Sequence, residues 1–335
     1  MDYSKGFSST CYATVVDPAT WRDIGRIELT GGTVKRSTAE LAESADIDCV
    51  AYDQTAERWI RIYMDTRQAG EGEHVALFTG LATSPDRDIS GRMVTNSVQC
   101  YSVLKPAQDI LLPLGWYAPA GYNGAELART LLQATPAPVE IEGVSPALSN
   151  AIIAEEKETN LSMALAVLEA INWRLRITGD GTIQLLPMAT EAEVSFDQSD
   201  YDCIETELEV SYDWFSCPNV FRAISDDLTA EVRDDDPDSP LSTVSRGREI
   251  WAQETNCDLN DNEGIGEYAH RRLKELQRVT ESISYDRRFH PGLRVGDLVR
   301  IHYPVQRIDG IYRVDSQSIK LEANGKTSEE VSGYE

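Results

Sequence analysis

Four histidines, at 74, 270, 290 and 302, and six cysteines, at 11, 49, 100, 203, 217 and 257, are the side chains best suited to metal or nucleophile chemistry. None of the histidines stands at HxxxH or HExxH spacing, so a surface or core role is expected of each. The cysteines are widely and irregularly spaced, with no CxxC; Cys203 and Cys217 are the closest pair. A disulfide scaffold would be denser and shorter, so these read as reduced core-filling thiols of a protein folded in the cytoplasm. No GxSxG elbow, Walker loop or GxGxxG appears. Residues 258–264 offer Asp258, Asn260 and Asn262 at calcium-loop positions one, three and five, but Glu263 replaces the glycine at six and Ala269 the glutamate at twelve. A polar turn and helix cap is the better reading. The acidic run 234–238 reads as a solvated loop. The sequence thus predicts no catalytic residue, no cofactor and no metal, and no enzyme; a glycan hydrolase stays a remote alternative, because no aromatic groove accompanies any carboxylate pair.

The elements around these residues carry more information. The chain has 335 residues, 31 Lys plus Arg and 56 Asp plus Glu, for a formal charge of −25. That charge disfavours specific nucleic-acid binding, which needs cations to displace counterions, and docking on an anionic membrane. No apolar run is long enough to span a bilayer, and the first ten residues lack a secretory h-region.

Residues 12–16, 33–36, 45–50, 58–64, 75–79 and 93–104 read as strands separated by turns, with residues 67–74 a polar hairpin loop. This first β domain covers 1–105. Residues 106–200 form an α+β insert. It opens on an apolar loop broken by Pro and Gly (111–122), and continues with a helix capped by Asn123 or Gly124, a helix capped by Asn160 with Leu161, Leu165 and Leu168 as its stripe, and strands 173–177 and 182–186 about a Gly179-Asp180-Gly181 turn. A second β domain, 201–322, holds strand 204–212 with 219–224 as its hairpin partner, a long helix 262–277 capped by Asp261 or Asn262, and strands near 298–303, 312–314 and 316–321. Residues 323–335 read as a frayed tail. The fold class expected is therefore β-dominated α+β.

Three places resemble the baseplate hub proteins of contractile phage tails, a tail-tube-like, late-control-D-like family. One is the run Pro291-Gly-Leu-Arg-Val-Gly-Asp-Leu-Val-Arg-Ile301 with Gly310-Ile-Tyr-Arg-Val314, preceded by a helix. A second is the strand series 47–50 and 59–64 ending in Leu77-Phe-Thr-Gly80. The third is helix 161–171 followed by Asn172-Trp-Arg-Leu-Arg-Ile177 and the Gly-Asp-Gly turn. Together they cover nearly the whole chain, although "GDxVxI" alone is common in β proteins.

The resemblance implies two tail-tube-like antiparallel β-barrel domains flanking the insert, and a homotrimer whose quasi-sixfold ring joins the hexameric tail tube to a trimeric central spike. Further partners would be other baseplate or tape-measure proteins. Assembly would take place in the bacterial host cytoplasm, and the final location would be the virion tail baseplate. Another tube-like tail adaptor, or the hub half of a type VI secretion spike, is the alternative; a spike would add a C-terminal β-helix, which residues up to Glu335 do not contain. Cyclic assembly needs complementary apolar patches with aromatic anchors. Trp116, Tyr117 and Tyr122 are candidate anchors, against the alternative that they cap their own core. Arg67 and His74, at the ends of the polar hairpin, are candidates for contact with the next ring, against an ordinary surface turn. In such a ring an acidic lumen would repel DNA and let it slide.

Overall fold

The computed structural model describes every residue except 4, 51, 53–55, 91–92, 199–203, 226–227, 256, 258–263, 278–280 and 335, and every side chain of those except 90, 93 and 206. It is a β-dominated α+β protein, 50% strand against 15% helix. Two compact units are present: Met1–Leu208 with Ser284–Glu335, and Glu209–Ile283.

The first hundred residues are strands: β1 (Ser8–Asp17), β2 (Arg22–Ile27), β3 (Leu29–Ser37), β4 (Glu43–Cys49), β5 (Arg58–Gln68), β6 (Glu71–Ala82), β7 (Asp86–Ser90) and β8 (Met93–Ser102). Their inward residues alternate as a half-buried sheet requires; in β4, Ala45, Ile47 and Cys49 face in while Asp46 and Asp48 face out. The next stretch contains α1 (Lys105–Gln108), β9 (Tyr117–Ala118), α2 (Gly124–Leu131), β10 (Val139–Ile141), β11 (Ile152–Ile153), α3 (Asn160–Ala170), β12 (Trp173–Ile177), β13 (Ile183–Pro187) and β14 (Ala192–Asp197). The rest contains β15 (Ile204–Tyr212), β16 (Val220–Ser225), β17 (Leu228–Arg233), α4 (Thr243–Arg246), β18 (Trp251–Thr255), α5 (Ile265–Leu276), β19 (Glu281–Arg287), β20 (Leu298–Tyr303), β21 (Ile308–Lys320) and β22 (Thr327–Gly333).

The large sheet of the first unit runs β2-β1-β5-β6-β8-β4-β3-β21-β22, with β7 on β8, β20 on β21 and β14 on β20. β21 pairs antiparallel with β3, Ile319 opposite Val34, so the last strands join the first ones. Ile47, Ile60, Ile62, Met64, Leu77, Phe78, Val98 and Ile319 share one core. A second core of the same unit packs Leu161, Met163, Val167 and Leu168 of α3 with Ala125, Ala128 and Leu131 of α2 and with Trp173, Ile183 and Leu185, and takes in Val16 of β1 and Trp59 of β5. In the second unit, α5 packs Tyr268, Ala269 and Leu273 with Phe221, Ala223 and Val232 of β16 and β17.

Several local expectations change. The hairpin at 67–74 is not a loop: β5 and β6 stay paired to Gln68 opposite Glu71, and only Ala69 (φ 50°) and Gly70 (φ 92°) turn, as a two-residue hairpin turn requires. The cap of α3 is Thr159, not Asn160; its side chain accepts from the Ser162 N–H while the Ser162 hydroxyl accepts from the Thr159 N–H. β16 pairs with β17 and β18, not with β15, because its antiparallel partner follows it directly in the chain. The C-terminal segment is not frayed: in β22, Thr327, Glu329 and Val331 alternate inward and pair with β21. α2 is capped by Asn123 as expected, its side chain accepting from Glu126 N at 3.0 Å. α5 is capped by Gly264, not by Asp261 or Asn262: the helix begins at Ile265, and the Gly264 N–H donates to the Glu267 carboxylate at 3.3 Å. The calcium-loop test falls at 258–263, outside the described residues, as does Cys203.

Candidate interaction surfaces

The β5–β6 hairpin carries an ordered polar-aromatic face. His74 stacks on Tyr63 at 4.2 Å between centroids, Tyr63 stacks on Tyr12 at 5.5 Å, and the Arg26 guanidinium lies 3.9 Å from the Tyr12 centroid. His74 Nδ1 is 2.6 Å from Asp65 Oδ1, across a directly opposed strand pair. The Tyr63 hydroxyl donates to Asp23 at 2.7 Å; burial and this bond hold its phenol above the ordinary range. Asp23 also receives Arg61, which is buried and donates to Thr79 Oγ1 and to the Asp180 carbonyl. The stack is therefore anchored through Arg61 to the insert hairpin. Arg67 is exposed on the same strand, and its carbonyl accepts from Ser8. Cys11, on β1 opposite Met64, has its thiol pushed up to about 11 by burial and by Asp65, the opposite of what a nucleophile needs.

The apolar loop of the insert is a second surface. It is a ribbon held by backbone bonds to residues 147–159: Leu112 N to Glu158 O, Ala154 N to Trp116 O, Gly121 N to Leu148 O and Leu148 N to Tyr122 O, all 2.8–3.1 Å, with β9 paired to β11 between them. These bonds satisfy the backbone, so the segment is ordered although broken by Pro and Gly. Trp116 is half-buried against the insert core, as the home-packing alternative requires. Tyr117 is 61% exposed and stands opposite Ile153, 73% exposed. Tyr122, Leu111 and Leu114 are exposed as well. Cross-strand neighbours of this kind present contiguous apolar surface to solvent.

Among the described residues no contact joins Arg67 or His74 to Trp116, Tyr117 or Tyr122, so the candidates form two separate groups. Sequence reasoning missed Ile153 and also Trp214 and Phe215 of the second unit. This exposed pair meets edge to face at 6.1 Å between centroids. Arg246 donates to the carbonyls of Cys217, Trp214 and Phe215, and Arg248 to that of Phe215. Two adjacent large aromatics between Asp213 and Pro218 were the available signal. Cys49, Cys100, Cys217 and Cys257 are buried free thiols. Among the described residues no group of His, Cys, Asp and Glu has metal-binding geometry, and no helix is long and apolar enough to cross a membrane.

No family model matches the sequence, and no characterised protein sequence matches it. Solved structures do. A tail protein from Neisseria meningitidis MC58 is 15% identical, with 96% of each chain covered and a TM-score of 0.68. The 43 kDa tail protein of prophage MuSo2 from Shewanella oneidensis is 12% identical, covering 96% of this chain and 98% of that one, with a TM-score of 0.65. A chain of a PdpA–VgrG complex of Francisella is 8% identical, covering 98% of this chain and 58% of that longer one, with a TM-score of 0.58. At these identities the likeness is one of fold.

Proposed function

We infer that the protein is a structural subunit of a contractile tail or related injection particle, and within it the baseplate hub: a homotrimer that joins the tail-tube ring to the central spike. The observation that carries this reading is the match of fold over nearly the full length of two tail proteins, one of them from a prophage. The three places that resemble the hub family support it, and so does an ordered apolar ribbon of the kind a ring-forming interface needs. The scheme of two tube-like domains, 1–105 and 201–322, about an insert at 106–200 belongs to this proposal, with a location in the virion tail after assembly in the host cytoplasm. Tyr117, Tyr122 and Ile153 are the proposed subunit contacts, and His74 with Arg67 the proposed contact to the adjoining ring.

A second reading, the hub half of a type VI secretion spike, is favoured by the fold match to part of a longer chain in the PdpA–VgrG complex. One experiment separates the readings. The purified chain is mixed with candidate tube and spike proteins, and the mass of the complexes is measured. A trimer that captures both partners supports the hub; a hexamer supports a tail adaptor; a monomer that binds neither overturns the proposal.

A further inference from the structure

A cavity of about 610 Å³ in the first unit is lined by Arg36, Arg174, Arg176, Arg294 and Arg313. Five guanidiniums on one cavity run against the trend of a chain whose formal charge is −25. Two buried carboxylates partly offset them. Asp297 takes Arg174 at 3.0 Å and Arg176 at 3.4 Å, and Glu43 lies 3.6 Å from Arg36. Glu40 and Glu169 lie on the exposed rim. Arg36 is already engaged, donating to Gln317 Oε1 at 3.0 Å and to the Leu77 carbonyl at 2.6 Å, and Arg176 also lies 3.9 Å from Glu193. Arg294 donates to the Ile177 carbonyl at 2.8 Å, and Arg313 lies 5.7 Å from the Tyr334 ring centroid. The buried Nε atoms of Arg174 and Arg176 have no hydrogen-bond acceptor. The spare donor capacity therefore lies with Arg174, Arg176 and Arg313.

The rest of the wall is apolar, with Leu165, Leu175, Met188 and Leu298. Its shape comes from β12. Four consecutive residues of that strand, 174–177, line the cavity. Side chains of a strand alternate between two faces, so four in succession reach one space only when that space runs along the strand's edge. β12 is paired on one side only, with β13. Its open edge offers backbone donors and acceptors to an added strand, save the Ile177 carbonyl, which Arg294 already occupies.

We propose that this cavity binds an extended acidic peptide segment of a partner chain, laid along the free edge of β12, with its carboxylates on the arginine cluster and its alternate apolar residues on the leucine and methionine wall. Guanidinium–carboxylate pairs are planar and often bidentate, which gives such a site register as well as attraction. The site does not depend on how many copies assemble, so it stands apart from the hub proposal.

The probe is a labelled ten-residue peptide of alternating glutamate and valine, titrated into the full chain. The expected result is binding that weakens as salt rises, protection of the amides of 173–177 from hydrogen exchange, and at least a tenfold loss in R313E and with a lysine-for-glutamate peptide. Arg313 is the first choice because Asp297 does not rely on it; R176Q, which leaves Arg174 on Asp297, is the second variant. Absence of binding, or binding unchanged in both variants without protection at 173–177, overturns the proposal. Citrate binding with the same arginine dependence, while the peptide leaves 173–177 unprotected, overturns it in favour of a small-anion site.

Discussion

Arg174 Nη1 lies 3.0 Å from Asp297 Oδ1, and this contact ties the insert sheet to the turn that opens β20. Asp297 is fully buried; its other oxygen accepts from the Arg294 N–H at 2.9 Å and faces Arg176. This gives the Gly-Asp-x-Val-x-Ile run a physical reason: the aspartate closes the turn and fastens a second layer, while Leu298, Val299 and Ile301 fill the core. D297N keeps the shape and removes the charge, leaving two guanidiniums without their shared partner. The expected loss is about 3–5 kcal/mol, as for other buried pairs broken from one side. Urea unfolding checks it, and a loss under about 1 kcal/mol would show that solvent already screens the contact.

Two glycines mark where the backbone leaves no room. A Cβ on Gly80, the last residue of the Leu-Phe-Thr-Gly segment, would sit 2.1 Å from the Tyr101 carbonyl oxygen. One on Gly179 would sit 1.7 Å from that of Ala76, where the Thr79 hydroxyl donates to the Gly179 carbonyl at 2.8 Å. Neither neighbour is a flexible side chain. G80A and G179A should each cost about 3 kcal/mol or more, the upper range for overpacking. Thermal melts measure both, and unchanged melting in either variant refutes the close approach at that site.

The strands of the first hundred residues, the stripe of α3 and the Gly-Asp-Gly turn were legible because local periodicity encodes them. What was not legible depends on partners far away in the chain. β22 is rich in Ser and Glu and looks like a solvated tail; it is a strand because Glu329 finds Arg287, whose Nε lies 2.6 Å from its Oε2, with Gln317 donating to its other oxygen. Arg36 likewise finds Gln317 across 281 residues. Of the proposed contact residues, composition drew attention to the aromatic loop, but only the pairing of β9 with β11 brings Ile153 beside Tyr117.

The Arg287–Glu329 pair supplies its own prediction. E329Q should cost about 3–5 kcal/mol, because a buried guanidinium loses its counter-charge. R287M/E329L should cost less than E329Q, since the double change removes both desolvated charges. Denaturant midpoints of the parent, E329Q and the double variant decide it; a double variant less stable than E329Q would mean that an uncompensated desolvated charge is not what destabilises E329Q.

Glu43 makes stability depend on pH. Burial pushes its carboxyl up to about 7 from an ordinary 4.5, against the pull of Arg36. An acid whose folded value is raised binds its proton more tightly when folded. Its contribution is therefore full below about pH 4.5 and is lost as pH rises through about 7. The change across that window is on the order of 3 kcal/mol. In E43Q the melting temperature should lack this component, so the difference between the two proteins should change between pH 4.5 and 7 and be flat above. A constant difference throughout would show that Glu43 stays ionised.

Tyr117 and Trp116 are chain neighbours with opposite duties. Trp116 packs on the insert core, so W116A should cost about 2 kcal/mol in the isolated subunit, part of the range for a fully buried tryptophan. Tyr117 and Ile153 spend their apolar area on solvent, so Y117E and I153E should each leave unfolding within about 0.5 kcal/mol of the parent. If the ribbon is a subunit contact, two carboxylates there meet an apolar partner and must be desolvated without a counter-ion, and self-association should fall at least tenfold. Sedimentation of Y117E/I153E beside the parent protein reads this directly. Oligomers that persist at unchanged affinity would remove the ribbon from the interface, and a loss of folding with loss of assembly would mean that the two side chains support their own subunit.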